Sequence, residues 1–419
     1  MNWRGLHHLP WKKRLQATGD NCGLDDEQLA FIKAHYSSIG DQQVENYLYN
    51  FGVPTGLLVN LPVDHGLHVV TMATEEPSVI AAANNGARMM RYGDGVETSM
   101  EQRLVRGQIV VINIDDLKKL ERFVSEHKEQ LLKVANDSRP SMRKRGGGAV
   151  DLLFEPLDEK RAIVNLLINP KEAMGANVVN TMAEAVAHYL QNKGYEILMA
   201  ILSNYATEAQ VKGTVRIPFS ALQTKDGLAG SVVARRIAEA SYIETLSPYR
   251  AVTANKGILN GIEAVVLASG NDTRAVNAAL HAHAASQGRY RGLIRWQVEG
   301  DALVGRTSLP MLVGSVGGSI GIVPAVKINR QIMGQPTANE LTRLLVAVGL
   351  AQNLAALRAL VTTGIQDGHM GLQAKSLALE VGAELTEVPV LVKRIKKAGH
   401  YDSAFVKQLL MELRNEESQ

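Results

Sequence analysis

Four polar positions combine residue type and setting in a way that suits proton and charge handling. Glu76 follows Glu75 and precedes Pro77. Lys256 stands between Asn255 and Gly257. Asp272 closes G-N-D, sixteen residues after the lysine, and His369 follows Asp367 and Gly368. A carboxyl such as Glu76 can donate a proton if burial raises its pKa, although an isolated Glu-Glu-Pro ordinarily does no more than complement a helix dipole. Lysines are mostly solvated, but N-K-G leads into the apolar run I-L-N-G-I, which points to partial burial. A buried ammonium could stabilise a developing oxyanion. Asp272 is placed to cap a helix starting at Thr273, and a carboxylate within reach of Lys256 would also hold its charge and direction. His369 is an acid near neutral pH, suited to protonating a leaving group, although a lone histidine is more often structural. His281 and His283 are two residues apart and point to different sides of a helix, so no metal pair is expected there.

The elements that must position these residues follow from pattern. Asp25 with Gln28 marks the start of a helix over about 25–37, and a second helical run is expected over 42–51. Residues 57–61 and 67–73 read as a hairpin, followed by a helix to about 90 with Pro77 in its first turn. From about 103 the order is strand, a long amphipathic helix over 116–136, paired strands joined by L-D-E-K, a helix over 180–194, and a strand at 195–203. That β-α-β-β-α-β order is the ferredoxin-like split unit, inserted as a domain of its own. A strand at 211–218, a helix near 228–245, a helix after Asp272, and a hairpin over 291–309 come next. Thr337 and Glu340 form a capping box for a long apolar helix ending near 363. The fold class is α/β (α+β).

Composition excludes several classes. The chain has 419 residues, net charge +3 and a single cysteine, Cys22. The charge is too small to imply nucleic acid, and one cysteine forms no intramolecular disulfide. The most apolar stretch, 344–361, is broken by Gln352, Asn353 and Arg358 and reads as a core helix, not a membrane span. A cytoplasmic protein is expected. The glycine-rich stretches at 143–148, 171–180 and 313–321 are neither a Walker A motif nor a Rossmann fingerprint. The turn before a helix at 175–180 could still present backbone N–H groups to a phosphate.

In chain order, T-E-E-P-S-V-I-A-A-A, E-A-M-G-A-N-V-V-N-T-M-A-E-A-V, I-L-S-N, S-P-Y-R-A-V, N-K-G-I-L-N-G-I, G-N-D-T-R-A-V, V-G-L-A-Q-N-L-A-A-L-R-A-L and G-I-Q-D-G-H-M-G-L-Q-A-K-S-L-A together resemble the soluble, bacterial class II form of 3-hydroxy-3-methylglutaryl-CoA (HMG-CoA) reductase. The likeness runs from about residue 40 to 385. It implies a large substrate domain (1–102 and 208–364), a non-Rossmann cofactor domain (103–207), a mobile C-terminal flap (365–419), and a homodimer with its sites at the subunit interface. It also implies Glu76, Lys256, Asp272 and His369 as catalytic residues, and Ser78, Arg250 and Asn260 as substrate contacts. Arg250 would pair with the substrate's terminal carboxylate. Glu172, Met174, Gly175, Ala176, Asn177 and Asn204 are implied as cofactor contacts, and no metal is implied. The implied reaction is a four-electron reduction of the thioester to mevalonate and free CoA. Lys256 would hold the oxyanion, His369 would protonate the thiolate, Glu76 would donate a proton, and Asp272 would hold the lysine.

In NAD-using members of that family an aspartate stands nine residues before the glycine turn. Counted nine back from Gly148, the last glycine of that turn, Arg139 takes that place, with Asp137 close by. An arginine there favours a ribose 2′-phosphate, so NADPH is expected, with NADH as the alternative. The chain departs from the family's usual residues at Ala254, where a histidine is common, at Thr273, where a tryptophan is common, and over 45–52 and 93–98.

Overall fold

The computed structural model describes residues 3–362 and 374–417. Its helices are α1 Trp11–Cys22, α2 Asp26–Ala34, α3 Ser38–Gln43, α4 Val79–Met90, α5 Leu117–Glu126, α6 Lys128–Asp137, α7 Pro140–Lys144, α8 Ala176–Gln191, α9 Gly230–Leu246, α10 Pro248–Ala268, α11 Thr273–Ala285, α12 Pro324–Ile332, α13 Ala338–Val361, α14 Val388–Ala398 and α15 Ser403–Glu417. Its strands are β1 Thr55–Val63, β2 Gly66–Ala73, β3 Val96–Met100, β4 Val105–Ile112, β5 Gly148–Asp158, β6 Arg161–Asn169, β7 Glu196–Leu202, β8 Gln210–Pro218, β9 Ile294–Glu299 and β10 Ala302–Pro310.

Two sheets divide the strands. The larger runs β2-β1-β3-β8-β10-β9, and the smaller runs β5-β6-β4-β7. All pairs in the smaller sheet are antiparallel. Taken with the helices between its strands, that order is the ferredoxin-like arrangement expected for the inserted unit. Each sheet has its own hydrophobic core, and a third cluster joins residues 374–410 through Leu391, Ile395 and Leu410.

α13 is the axis of the larger core. It begins at the expected capping box, in which Thr337 Oγ1 accepts from Glu340 N while Glu340 accepts from Thr337 N. It is the one described helix long and apolar enough to cross a membrane, yet 72% of that window is buried inside the fold. Its polar interruptions are used internally: Asn353 Oδ1 accepts from the buried Trp296 indole at 2.7 Å. Glycines let neighbouring helices close on it. A Cβ on Gly86 of α4 would stand 2.0 Å from the Ala351 carbonyl oxygen, and one on Gly261 of α10 would stand 3.0 Å from Val348.

Three expectations change. The helix expected over 42–51 is displaced to α3, because Ser37 caps at Gly40 N and Asn46 takes a positive φ of 56°. Tyr47 is then buried, with its hydroxyl between Ser37 N and Asn50. The long helix over 116–136 is two helices that meet at His127, whose ring Nδ1 lies 3.0 Å from the Phe123 carbonyl oxygen. The stretch 93–98, where the chain departs from the family's usual residues and no strand is expected, contains the start of β3. That strand pairs in parallel with β1 and antiparallel with β8.

Candidate active site

Lys256 lies in the middle of α10, not in a turn. Ser247 caps that helix and Pro248 occupies its first position, where the missing N–H costs nothing. Glu76 lies in the link from β2 to α4, three residues before the helix begins, with its N–H donating to Thr74 Oγ1 at 3.2 Å. The two side chains meet. Lys256 Nζ donates to Glu76 Oε2 at 2.8 Å, and Asn260 Nδ2, one turn along α10, donates to the same oxygen at 3.3 Å. Ser78 Oγ donates to Glu76 Oε1 at 3.3 Å. Four residues singled out in the sequence thus form one network from two elements 180 positions apart.

The network opens into a groove of about 470 Å³ along α10, lined by Val252, Lys256, Leu259, Asn260, Glu263 and Leu267, with Asn277 and His281 of α11 on its wall. Those α10 positions recur at helical spacing, so one face of α10 is the floor. Burial is less than expected: the Lys256 side chain is 62% exposed and that of Glu76 34%. Asn277 and His281 are site-wall residues that sequence reasoning missed. The sequence singles out His281 only as half of a metal pair that its spacing from His283 disfavours; among the described residues no group of three or more metal-ligating side chains exists. The only advance signal was their spacing of four on a helix beginning at Asp272.

Two expected members are elsewhere. Asp272 caps α11, accepting from Arg274 N at 3.0 Å and Ala275 N at 3.1 Å. It lies four residues past Ala268, the C-terminal end of α10, which is itself roughly 18 Å along the helix axis from Lys256 at 1.5 Å per residue. Within one chain it does not hold the lysine; Glu76 does. Arg250 is in the first turn of α10 and is not among the groove's lining residues. Its neighbour is Glu244 of α9, a residue only 1% exposed, with both carboxylate oxygens lacking hydrogen-bond partners. His369 lies outside the described residues.

Burial pushes the Glu244 carboxyl up to about 7 from its ordinary 4.5, and the positive charge of Arg250 opposes that rise. The neutral acid is therefore the form the fold favours. Its contribution is whole below about pH 4.5 and is lost as pH rises through about 7. Relative to a Glu244→Gln variant, which cannot titrate there, the wild-type chain is expected to lose up to about 3 kcal/mol over that interval. Thermal melts of both proteins from pH 5 to 8 check this, and a gap that stays constant with pH contradicts it.

The cofactor expectations gather at α8. Gly175 precedes the helix with φ 113°, a conformation that suits glycine, so Ala176 and Asn177 open α8 with unpaired backbone N–H groups. Arg139 donates to Thr181 Oγ1 at 2.7 Å, which brings its guanidinium to the first turns of the same helix. Asn180 Oδ1 accepts from Leu202 N at 2.9 Å and ties α8 to the end of β7, two residues before Asn204. Met174 packs on the smaller core. Glu172 also has partners within the protein. Its carboxylate accepts from Ser315 Oγ and, at 2.8 Å, from Ala338 N at the start of α13. Burial raises its pKa, but those two donors with Arg103 and Arg330 bring it net below the usual carboxylate range.

A family model described as hydroxymethylglutaryl-coenzyme A reductase matches residues 10–374. The chain belongs to the HMG-CoA reductase family. It is 37% identical to the 3-hydroxy-3-methylglutaryl-coenzyme A reductase of Archaeoglobus fulgidus, over 98% of this chain and 94% of that one. It is 35% identical to a probable 3-hydroxy-3-methylglutaryl-coenzyme A reductase of Borreliella burgdorferi, over 80% and 77%. Among solved structures, the reductase of Streptococcus pneumoniae superposes with a TM-score of 0.76 at 38% identity, covering 99% of this chain and all of that one. The class II enzyme of the same organism bound to NADPH in open conformations gives 0.76 at 39% identity, covering 97% and 100%. HMG-CoA reductases are oxidoreductases, and the two-sheet architecture is that of the class II members.

Proposed function

We propose that this chain reduces HMG-CoA to mevalonate and CoA with two molecules of NADPH, as a soluble cytoplasmic enzyme of isoprenoid biosynthesis. The observation that carries this reading is the network joining Glu76, Lys256, Asn260 and Ser78 at the head of one groove. The Lys256 ammonium supplies a positive charge where the thioester oxygen becomes an oxyanion. Glu76, in contact with that ammonium, is placed to deliver a proton to the same oxygen, and Asn260 and Ser78 fix its two carboxylate oxygens. His369 is assigned to protonating the departing thiolate. The large domain would comprise 1–102 and 208–364, the cofactor domain 103–207 and the flap 365–419.

The residues at α8 fit a dinucleotide phosphate. The positive φ of Gly175 exposes the first N–H groups of the helix to an anion, and Arg139 adds a fixed guanidinium beside them. Glu172, Met174, Gly175, Ala176, Asn177 and Asn204 would hold NADPH, with Arg139 at the 2′-phosphate; bound there, NADPH supplies hydride.

The separation of Asp272 from Lys256 supports a homodimer in which the aspartate meeting each lysine comes from the second copy. The exposed face of α9 and α10, with Tyr242 49%, Tyr249 88% and Val252 51% exposed, supplies apolar surface for that contact.

Initial rates of HMG-CoA-dependent nicotinamide oxidation by the purified protein test the reading. Turnover with NADPH several-fold faster than with NADH is expected. Absence of HMG-CoA-dependent oxidation with either cofactor would sink the assignment, and a strong NADH preference would overturn the role of Arg139.

A further inference from the structure

The first residues of the glycine-rich run 313–321 are bonded inside the protein. The Glu172 carbonyl accepts from Ser315 N at 2.7 Å and Val316 N at 3.3 Å, and Ala173 forms a parallel bridge with Val316. Glu172's carboxylate takes the Ser315 hydroxyl as well. Arg103, 8% exposed, donates to the carbonyls of Lys171, Ala173 and Val313. Gly314 admits no side chain, since a Cβ there would stand 2.5 Å from Met174 N. Residues 171–174 and 313–316 are therefore one welded piece, although they lie on opposite sides of the domain crossover.

The other face of the same loop is held by one side chain. Asn271 Oδ1 accepts from Gly314 N at 2.7 Å, and Asn271 Nδ2 donates to Gly314 O at 3.1 Å and to Ser269 Oγ at 3.1 Å. A carboxamide that satisfies both backbone groups of one residue copies a strand pairing and leaves little freedom. Ser269 is fully buried, so the anchor is rigid. Asn271 is the residue before Asp272, and Met174 is the residue before Gly175.

We propose that loop 313–316 is a coupling strap that makes the cofactor turn at Gly175 and the cap at Asp272 move as one body, with Asn271 and Ser315 as its positioning residues. This rests on the assignment of α8 to NADPH and of Asp272 to the reaction. The side-chain partners of Asn271 are Gly314 and Ser269 and that of Ser315 is Glu172, so each acts on the reaction through those hydrogen bonds. Burial pushes the Arg103 guanidinium down to about 10, which leaves it charged at neutral pH and able to hold all three carbonyls.

The test is a double-mutant cycle on the full-length protein, with NADPH affinity measured by titration in the absence of substrate and kcat measured separately. Asn271→Ala and Ser315→Ala are each expected to weaken NADPH binding and to lower kcat, both on the order of tenfold, because each removes buried hydrogen bonds from the strap. The double variant should fall little below the worse single one, since breaking the strap once uncouples it. Asp272→Ala is the control: kcat falls and NADPH affinity stays at the wild-type value. Loss of kcat in Asn271→Ala with unchanged NADPH affinity would overturn the strap, as would fully additive effects. If the wild-type protein binds no NADPH, the cofactor assignment has failed instead. Should Asn271→Ala fold poorly, Ser315→Ala, which loses one hydroxyl, decides alone by whether NADPH affinity and kcat fall together.

Discussion

Lys256→Ala is expected to lower kcat by about 10²- to 10³-fold, the range for removing one preorganised oxyanion donor. The same substitution should barely alter stability. The Lys256 side chain is 62% exposed and its ion pair with Glu76 is open to the groove, where an ion pair is worth at most about 1 kcal/mol. A large rate effect with an unchanged melting temperature therefore separates a chemical role from a structural one. Lys256→Arg should recover little, because a planar guanidinium cannot replace a compact ammonium 2.8 Å from Glu76 Oε2 without displacing the carboxylate or Asn260. Full turnover by Lys256→Ala would remove the lysine from the mechanism, whatever its contacts.

Subunit complementation has the second large effect. Asp272→Ala and Lys256→Ala are each expected to be nearly inactive alone. If each site takes its lysine from one copy and its aspartate from the other, a mixed dimer carries one fully intact site. Random exchange of equal amounts then restores about a quarter of wild-type activity, as follows from two-fold symmetry with one good site in half of the dimers. If both residues serve within one chain, every site in the mixture lacks one of them and nothing is restored. The geometry favours recovery, since α10 carries Lys256 in its middle and Asp272 past its end.

Much of this organisation was legible in the residues. Both capping boxes, at Asp25 and Thr337, are present as read. So are the β1–β2 and β9–β10 hairpins and the ferredoxin-like order, because each depends on contacts between near neighbours or on simple periodicity. α10 was harder. Its Asn255, Gly257, Asn260 and Gly261 look like turn residues, yet Gly261 is there for close approach to α13 and Asn255 is buried, donating to Arg291 O. β3 escaped notice because only Val96 of its five residues is fully buried and its partners lie more than thirty positions away. The 42–51 helix failed for a related reason: the tertiary contacts of Tyr47 outweighed a weak local preference.

By itself, then, the sequence determined the elements, the inserted unit, and the cast of polar residues, since these follow from local pattern and from ordered motifs. Only the tertiary structure decided who meets whom. Within one chain it paired Lys256 with Glu76, joined Glu172 to Ser315 and to the start of α13, and bonded the glycine-rich run to residues 171–174. Those outcomes depend on distances between segments far apart in the chain. Such distances are set by how helices close on α13 and how two cores are joined, and no spacing along the chain encodes them.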